Sequence, residues 1–133
     1  VLFEIHAAVT WGLVGLIWVV QLVLYPAFAR VPAAAFPAYH ALHTRAITWV
    51  VAPLMILEVA TAAWLVAGGY RPSWFLASLL PLAVNWASTA FVQVPLHRRL
   101  AQAFDAEAHR RLVGTNWVRT AAWTARGLCL LAG

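Results

Sequence analysis

The sequence predicts an all-α integral membrane protein, a single domain over residues 1–133 in which four antiparallel helices run up-down-up-down. Three observations predict it. The chain is 64% hydrophobic and only 10% charged, with a mean hydropathy of +0.80, whereas soluble domains average about 45–50% apolar and about 25% charged residues. A water-soluble globule and a charge-rich disordered chain are both excluded on that ground. Next, the apolar residues come in four runs of roughly 24 residues, the length a helix needs to cross a bilayer, and they lack the alternation of barrel strands. Finally, prolines, glycines and arginines gather between the runs. Cys129 is the only cysteine, so no disulfide framework exists.

The spans are expected at about 3–29, 44–67, 73–96 and 109–132. Tyr25-Pro26 and Val31-Pro32 should close the first, because proline lacks a backbone donor and clashes with the preceding turn. The first span is also too long, and too poor in flanking positive charge, for a signal peptide. Residues 32–43 are read as a short interfacial helix. Gly68-Gly69 and Arg71-Pro72 supply the turn between spans two and three. Pro53 and Pro81 fall inside spans and predict kinks, and Pro95 should bend the third span near its end.

All nine basic residues are arginine, and they are unevenly placed. Arg30, Arg45, Arg98, Arg99, Arg110 and Arg111 flank the loops joining spans one to two and three to four. Arg71 and Arg126 lie toward the other side. The positive-inside rule puts the arginine-rich loops in the cytoplasm and both termini outside, as in a multi-pass protein of a bacterial inner membrane. The net charge of +5 follows from the same arginines. Without a folded basic surface it does not indicate nucleic-acid binding.

Ionisable groups inside a bilayer are costly and face the bundle interior. On span four, Asp105, His109, Leu112, Asn116, Arg119 and Trp123 follow steps of four and three residues and share one face. On span three, Ser78, Asn85, Thr89, Gln93 and His97 trace a slowly drifting stripe. Span two presents His40, His43 and Glu58, and span one Thr10 and Gln21. Measured from the span centres, Glu58, Asn85 and Arg119 fall near one level. A Glu58–Arg119 ion pair is therefore expected, with Arg126 directed toward Glu4. The pair has two readings, a clamp on helix register or the polar floor of a pocket for a carbonyl or quinone-like head group.

Four of the five histidines, His40, His43, His97 and His109, fall at the predicted cytoplasmic end. Asp105 and His109 stand four residues apart, as do Gln93 and His97, which is the spacing of two ligands on one helical face. Imidazoles and carboxylates from facing helices are the usual metal donors in bundles. His43, His97, His109 and Asp105 are thus candidate ligands for a non-haem metal (iron, manganese, copper or zinc) or for haem, with His40 and Gln93 beside the cofactor. No complete metal motif is present, and interfacial histidines that cap helices or meet lipid phosphate are the alternative. Phosphate-binding loops, cysteine pairs and Ser–His–Asp order are lacking, so nucleotide-driven and serine-hydrolase chemistry has no support.

Tyr25-Pro26, the Gln93-Val94-Pro95-Leu96-His97 stretch through Leu100, and Asn116-Trp117-Val118-Arg119-Thr120 together resemble the anthrone-oxygenase-like family of small four-helix membrane proteins. The last stretch is similar to the family's Asn-x-x-Arg-Thr element, whereas the family tends to have asparagine where this chain has Gln93 and His97. The resemblance implies oxidation of aromatic substrates, as in fungal members that help to turn anthrones into anthraquinones, and it implies no particular cofactor. The function expected is a membrane-embedded oxidoreductase acting on an aromatic or quinone-like substrate. Asn116, Arg119 and Glu58 would be its catalytic groups, the first two orienting the substrate or its developing oxyanion. The alternative is a non-catalytic membrane subunit or binding protein whose polar stripes only pack helices. The expected partners are the bilayer and a hydrophobic small molecule, with a homo-oligomer left open.

Overall fold

The computed structural model describes residues 1–132, and these form four helices without strands. Helix α1 spans Leu2–Arg30, α2 Phe36–Ala67, α3 Ser73–Leu100 and α4 Ala106–Leu130. α1 packs against both α2 and α4, and α4 packs against α3. α2 and α3 are neighbours in sequence, yet no close backbone packing runs along their length. The bundle is therefore closed on three sides and gapped on the fourth.

α1, α2 and α3 are long and apolar enough to cross a membrane. α4 is not among them, a departure from the four spans expected. Its 25 residues include Asn116, Arg119 and Arg126, and these polar groups are buried inside the bundle rather than turned outward. The outward faces carry large apolar side chains, with Trp49 78%, Trp64 70% and Phe91 79% exposed. A soluble protein hides such groups. Here the polarity is reversed, which is consistent with a membrane protein.

The prolines behave differently from expectation. α1 continues through Pro26 to Arg30, and α3 continues through Pro95 to Leu100. In each, a widened π-helical stretch comes just before the proline, at Val20–Leu24 in α1 and at Thr89–Gln93 in α3. Widening the turn relieves the clash between the proline ring and the carbonyl four residues earlier, so the helix passes through instead of ending. Pro53 and Pro81 are likewise carried inside α2 and α3. Residues 36–43 form no separate interfacial helix. They are the first two turns of α2, whose 32 residues reach about 48 Å and overrun the hydrocarbon thickness.

The turn between α2 and α3 needs a glycine at position 69. Gly69 has φ +86°, and the Tyr70 N–H reaches back to the Leu65 carbonyl at 2.9 Å while that of Gly69 reaches Val66. This is a Schellman closure, with glycine in the left-handed position. At the other end, Asp105 caps α4 by accepting the Ala108 N–H at 2.9 Å.

Candidate functional site

All four helices contribute polar side chains to the interior, in three groups at successive depths. The group nearest the Gly68–Gly69 turn centres on Glu58 of α2. Its Oε1 accepts the Nε–H of Arg126 at 2.8 Å and the Thr10 hydroxyl at 3.0 Å, and its Oε2 accepts the Trp123 indole N–H at 3.1 Å. The remaining Arg126 donors go to the Ser78 carbonyl and hydroxyl and to Nε2 of His6, the last at 2.8 Å. A guanidinium only donates, so His6 accepts at Nε2 and its Nδ1–H donates to the Thr61 hydroxyl at 2.7 Å. Glu58, Arg126 and His6 are all fully buried. Both charges cancel, and every polar atom has a partner.

This arrangement corrects the expected ion pair. Glu58 pairs with Arg126 and not with Arg119, and Glu4 lies exposed beside the N-terminal amine. The expectation placed the centre of the second span near residue 56. With residues 36–43 included, the centre of α2 falls near residue 52, and that of α4 near 118. Glu58 and Arg126 are then displaced toward the same end, by about 10 and about 12 Å.

The middle group surrounds Arg119, which is 5% exposed. One guanidinium nitrogen donates to Asn116 Oδ1 at 3.2 Å, and the group lies 5.1 Å over the Trp123 ring. Its Nε has no partner, and no carboxylate pairs with it among the described residues. Asn116 in turn donates to Gln21 Oε1 at 2.9 Å, which also accepts from Thr120. Gln93 donates to Thr115 at 3.0 Å, while its Oε1 is left without a partner. Asn85, buried one stage further along α3, has an amide without partners among the described residues.

Arg119 borders a cavity of about 390 Å³ between α1, α2 and α3, floored by α4. Its polar end is formed by Tyr25, Gln93, His97 and Arg119, and the remaining walls are mostly apolar, from Ile17, Val20, Val51, Met55 and Trp86 among others. Small-molecule sites have this character: apolar walls and a few convergent polar groups. A buried cation that borders such a cavity without a counter-anion suits an oxygen that carries or develops negative charge.

The third group holds the histidines. Tyr25 Oη lies 3.0 Å from His97 Nε2, and His97 Nδ1 lies 3.0 Å from His40 Nε2. Three side chains from α1, α3 and α2 thus form a hydrogen-bonded line that begins at the cavity and leads away from it. With all three neutral, it can be written with its protons pointing in either direction. His43 stacks on His97 with ring centres 6.3 Å apart, and its Nε2 is unpartnered. At the centre is Phe28, fully buried, whose ring is 4.9 Å from that of His43 and 6.3 Å from those of His97 and His109.

The expected ligand set is brought together only in part. His109 donates Nε2–H to the Tyr25 carbonyl at 2.8 Å, and Asp105 is taken by its cap and by Arg99. The Ala108 N–H and the Arg99 guanidinium hold the Asp105 carboxyl below its ordinary value of 3.8. No three His, Cys, Asp or Glu side chains among the described residues are arranged to hold a metal ion. His97 has both ring nitrogens engaged, and Phe28 fills the space between the rings. These donors do not fit the four-ligand centre expected, because the aromatic plug and the local caps claim them first.

Tyr25 and Thr115 belong to the site and were not expected in it, while Trp123, expected on the inward face of span four, takes part through its indole N–H and ring. A signal for Tyr25 exists: Ile17, Gln21 and Tyr25 are spaced by steps of four, as are Asn85, Thr89, Gln93 and His97. Such runs drift around an α-helix but stay in line across a π-helical turn. The drifting stripe on span three was the sequence trace of that turn. No known protein family matches the chain, and neither does any curated protein or solved structure.

Proposed function

We propose that this chain is a membrane-embedded oxidoreductase-like protein that takes a hydrophobic aromatic or quinone-like molecule into the cavity between α1, α2 and α3. The observation that carries the reading is Arg119, a buried cation without a carboxylate partner at the polar end of an otherwise apolar cavity. Its terminal guanidinium N–H groups would donate to a ring oxygen and stabilise charge developing there. Gln93 lines the same end of the cavity and would add a polar side chain beside the ring. Tyr25 and His97 border the cavity and would exchange a proton with the bound ring, with His40 as the next member of the line. Asn116 positions Arg119, and Glu58 serves the neighbouring structural pair, so neither contacts the substrate in this reading. The arginine-rich loops would lie in the cytoplasm of a bacterial inner membrane, with the termini outside.

The test is binding of 1,4-naphthoquinone to protein in lipid nanodiscs, read by quenching of Trp86 and Trp123 at the cavity wall. Arg119→Gln should weaken binding by about 10–100-fold, the range for losing a hydrogen bond to a charged group. Equal binding by the wild type and the variant would overturn the reading.

A further inference from the structure

The cavity is not sealed. Thr48 and Ile56 on α2 and Trp86 and Val94 on α3 line it and are also exposed on the outer surface of the bundle. They border the gap left where α2 and α3 do not pack closely. A shallow apolar groove lies between the same two helices toward the Gly68–Gly69 turn, lined by Val59, Ala62, Ala63, Val66, Leu79 and Leu82. The two spaces adjoin. Ile56 of the cavity and Val59 of the groove are three residues apart on α2, and Trp86 and Leu82 are four apart on α3, so each pair shares a helical face. The alanines of α2 leave room where longer side chains would reach across to α3.

We propose that the ligand is an amphiphile: an oxygen-bearing ring held in the cavity by Arg119, with an apolar tail that leaves through the α2–α3 gap and lies along the groove. The ligand then enters sideways from the hydrocarbon phase and never crosses the arginine-rich end of the bundle. This rests on the ring-binding reading of the cavity and adds the tail and the route. Two features favour a tailed ligand over a lone ring. The polar anchors stand at one end only, and the opposite end of the space continues into a groove of about 12 Å, the rise from Val59 to Ala67. A charged group would be expected somewhere along that groove if a second polar head were to sit there, and only Arg71, at its far end, is charged.

The test uses a 1,4-naphthoquinone bearing a saturated chain with a photoreactive diazirine about 17 Å from the ring, which reaches the middle of the groove. Nanodisc-embedded protein is irradiated and the labelled residues are mapped by mass spectrometry. Labelling should concentrate on residues 59–67 and 79–82 and should be competed by unlabelled tailed quinone. Ala63→Phe should reduce that labelling by about tenfold, equal to about 1.4 kcal/mol, while leaving quenching by tailless naphthoquinone unchanged. Labels spread over the exposed faces of all helices, with tailless binding intact, would overturn the tail and leave the ring site standing. Loss of binding by both compounds would overturn the two together.

Discussion

Arg126 and Arg119 stand two helical turns apart on α4, and both are buried, but their surroundings are opposite. Arg126 spends its donors on Glu58, Ser78 and His6, and its charge is cancelled. Arg119 has Asn116, the face of Trp123 and no anion. Burying a charge is costly unless it is paired. The first arginine shows how a bundle meets that cost within itself. The second leaves it unmet beside a cavity, where a ligand oxygen can meet it. Burial of a charged residue is thus a poor guide to function, and the completeness of its partners is a better one.

The largest effect should come from unbalancing the closed group. Glu58→Ala leaves Arg126 buried without its anion and should destabilise the protein by about 3–5 kcal/mol in unfolding assays in mild detergent. Combining Arg126→Met with it should recover much of that loss, whereas combining Arg119→Met should not. Recovery by Arg119→Met would mean that the pairing is exchanged in solution and that the contrast between the arginines is not real.

Arg119→Met alone should change stability by less than about 1 kcal/mol. Removing an unpaired buried charge is favourable, and it offsets the bond withdrawn from Asn116. A loss as large as that of Glu58→Ala would make Arg119 a structural clamp like its neighbour.

The smallest effect separates both arginines from one at the surface. Arg99 meets Asp105 at the start of α4, and together with the Ala108 N–H it holds that carboxyl below its ordinary value. A carboxylate with a depressed value in the folded state contributes stability above the unfolded value of 3.8 and loses it as the pH falls through the folded one. Asp105→Asn keeps a capping side chain but cannot titrate. Its unfolding temperature should therefore fall less than that of the wild type between pH 5 and about pH 3. Parallel curves would show that neither the Ala108 N–H nor the Arg99 guanidinium favours the ionised carboxyl.

Much of the fold was legible because hydropathy alone separates the helices. The turn at Gly68-Gly69 and Arg71-Pro72 falls between α2 and α3 as expected, and the polar residues of α3 and α4 do face inward. The partners were less legible. Assigning Glu58 to Arg119 required knowing where α2 begins, and Phe36, eight residues earlier than the expected start at Thr44, moves its centre by about half that number. The histidines were correctly gathered at one end, but a count of donors cannot show that Phe28 stands among them or that His109 turns to a backbone carbonyl. Arg119 was recognised as buried. Its lack of an anion became visible only once Arg126 had taken the available one.

The two π-helical turns give α1 and α3 an editing property that ordinary helices lack. Each holds one residue more than an α-helical turn needs, so a single deletion within Val20–Leu24 or Thr89–Gln93 could leave an unbroken helix. The rotation of about 100° that a lost residue imposes on an ordinary helix would be taken up by the closing of the widened turn. Tyr25 and His97 both lie beyond, and each would keep its direction toward the other and toward the Glu58–Arg126 half of the bundle. A one-codon deletion at either widened turn therefore has the capacity to leave both the proton line and the fold in place, which no deletion in a regular turn shares.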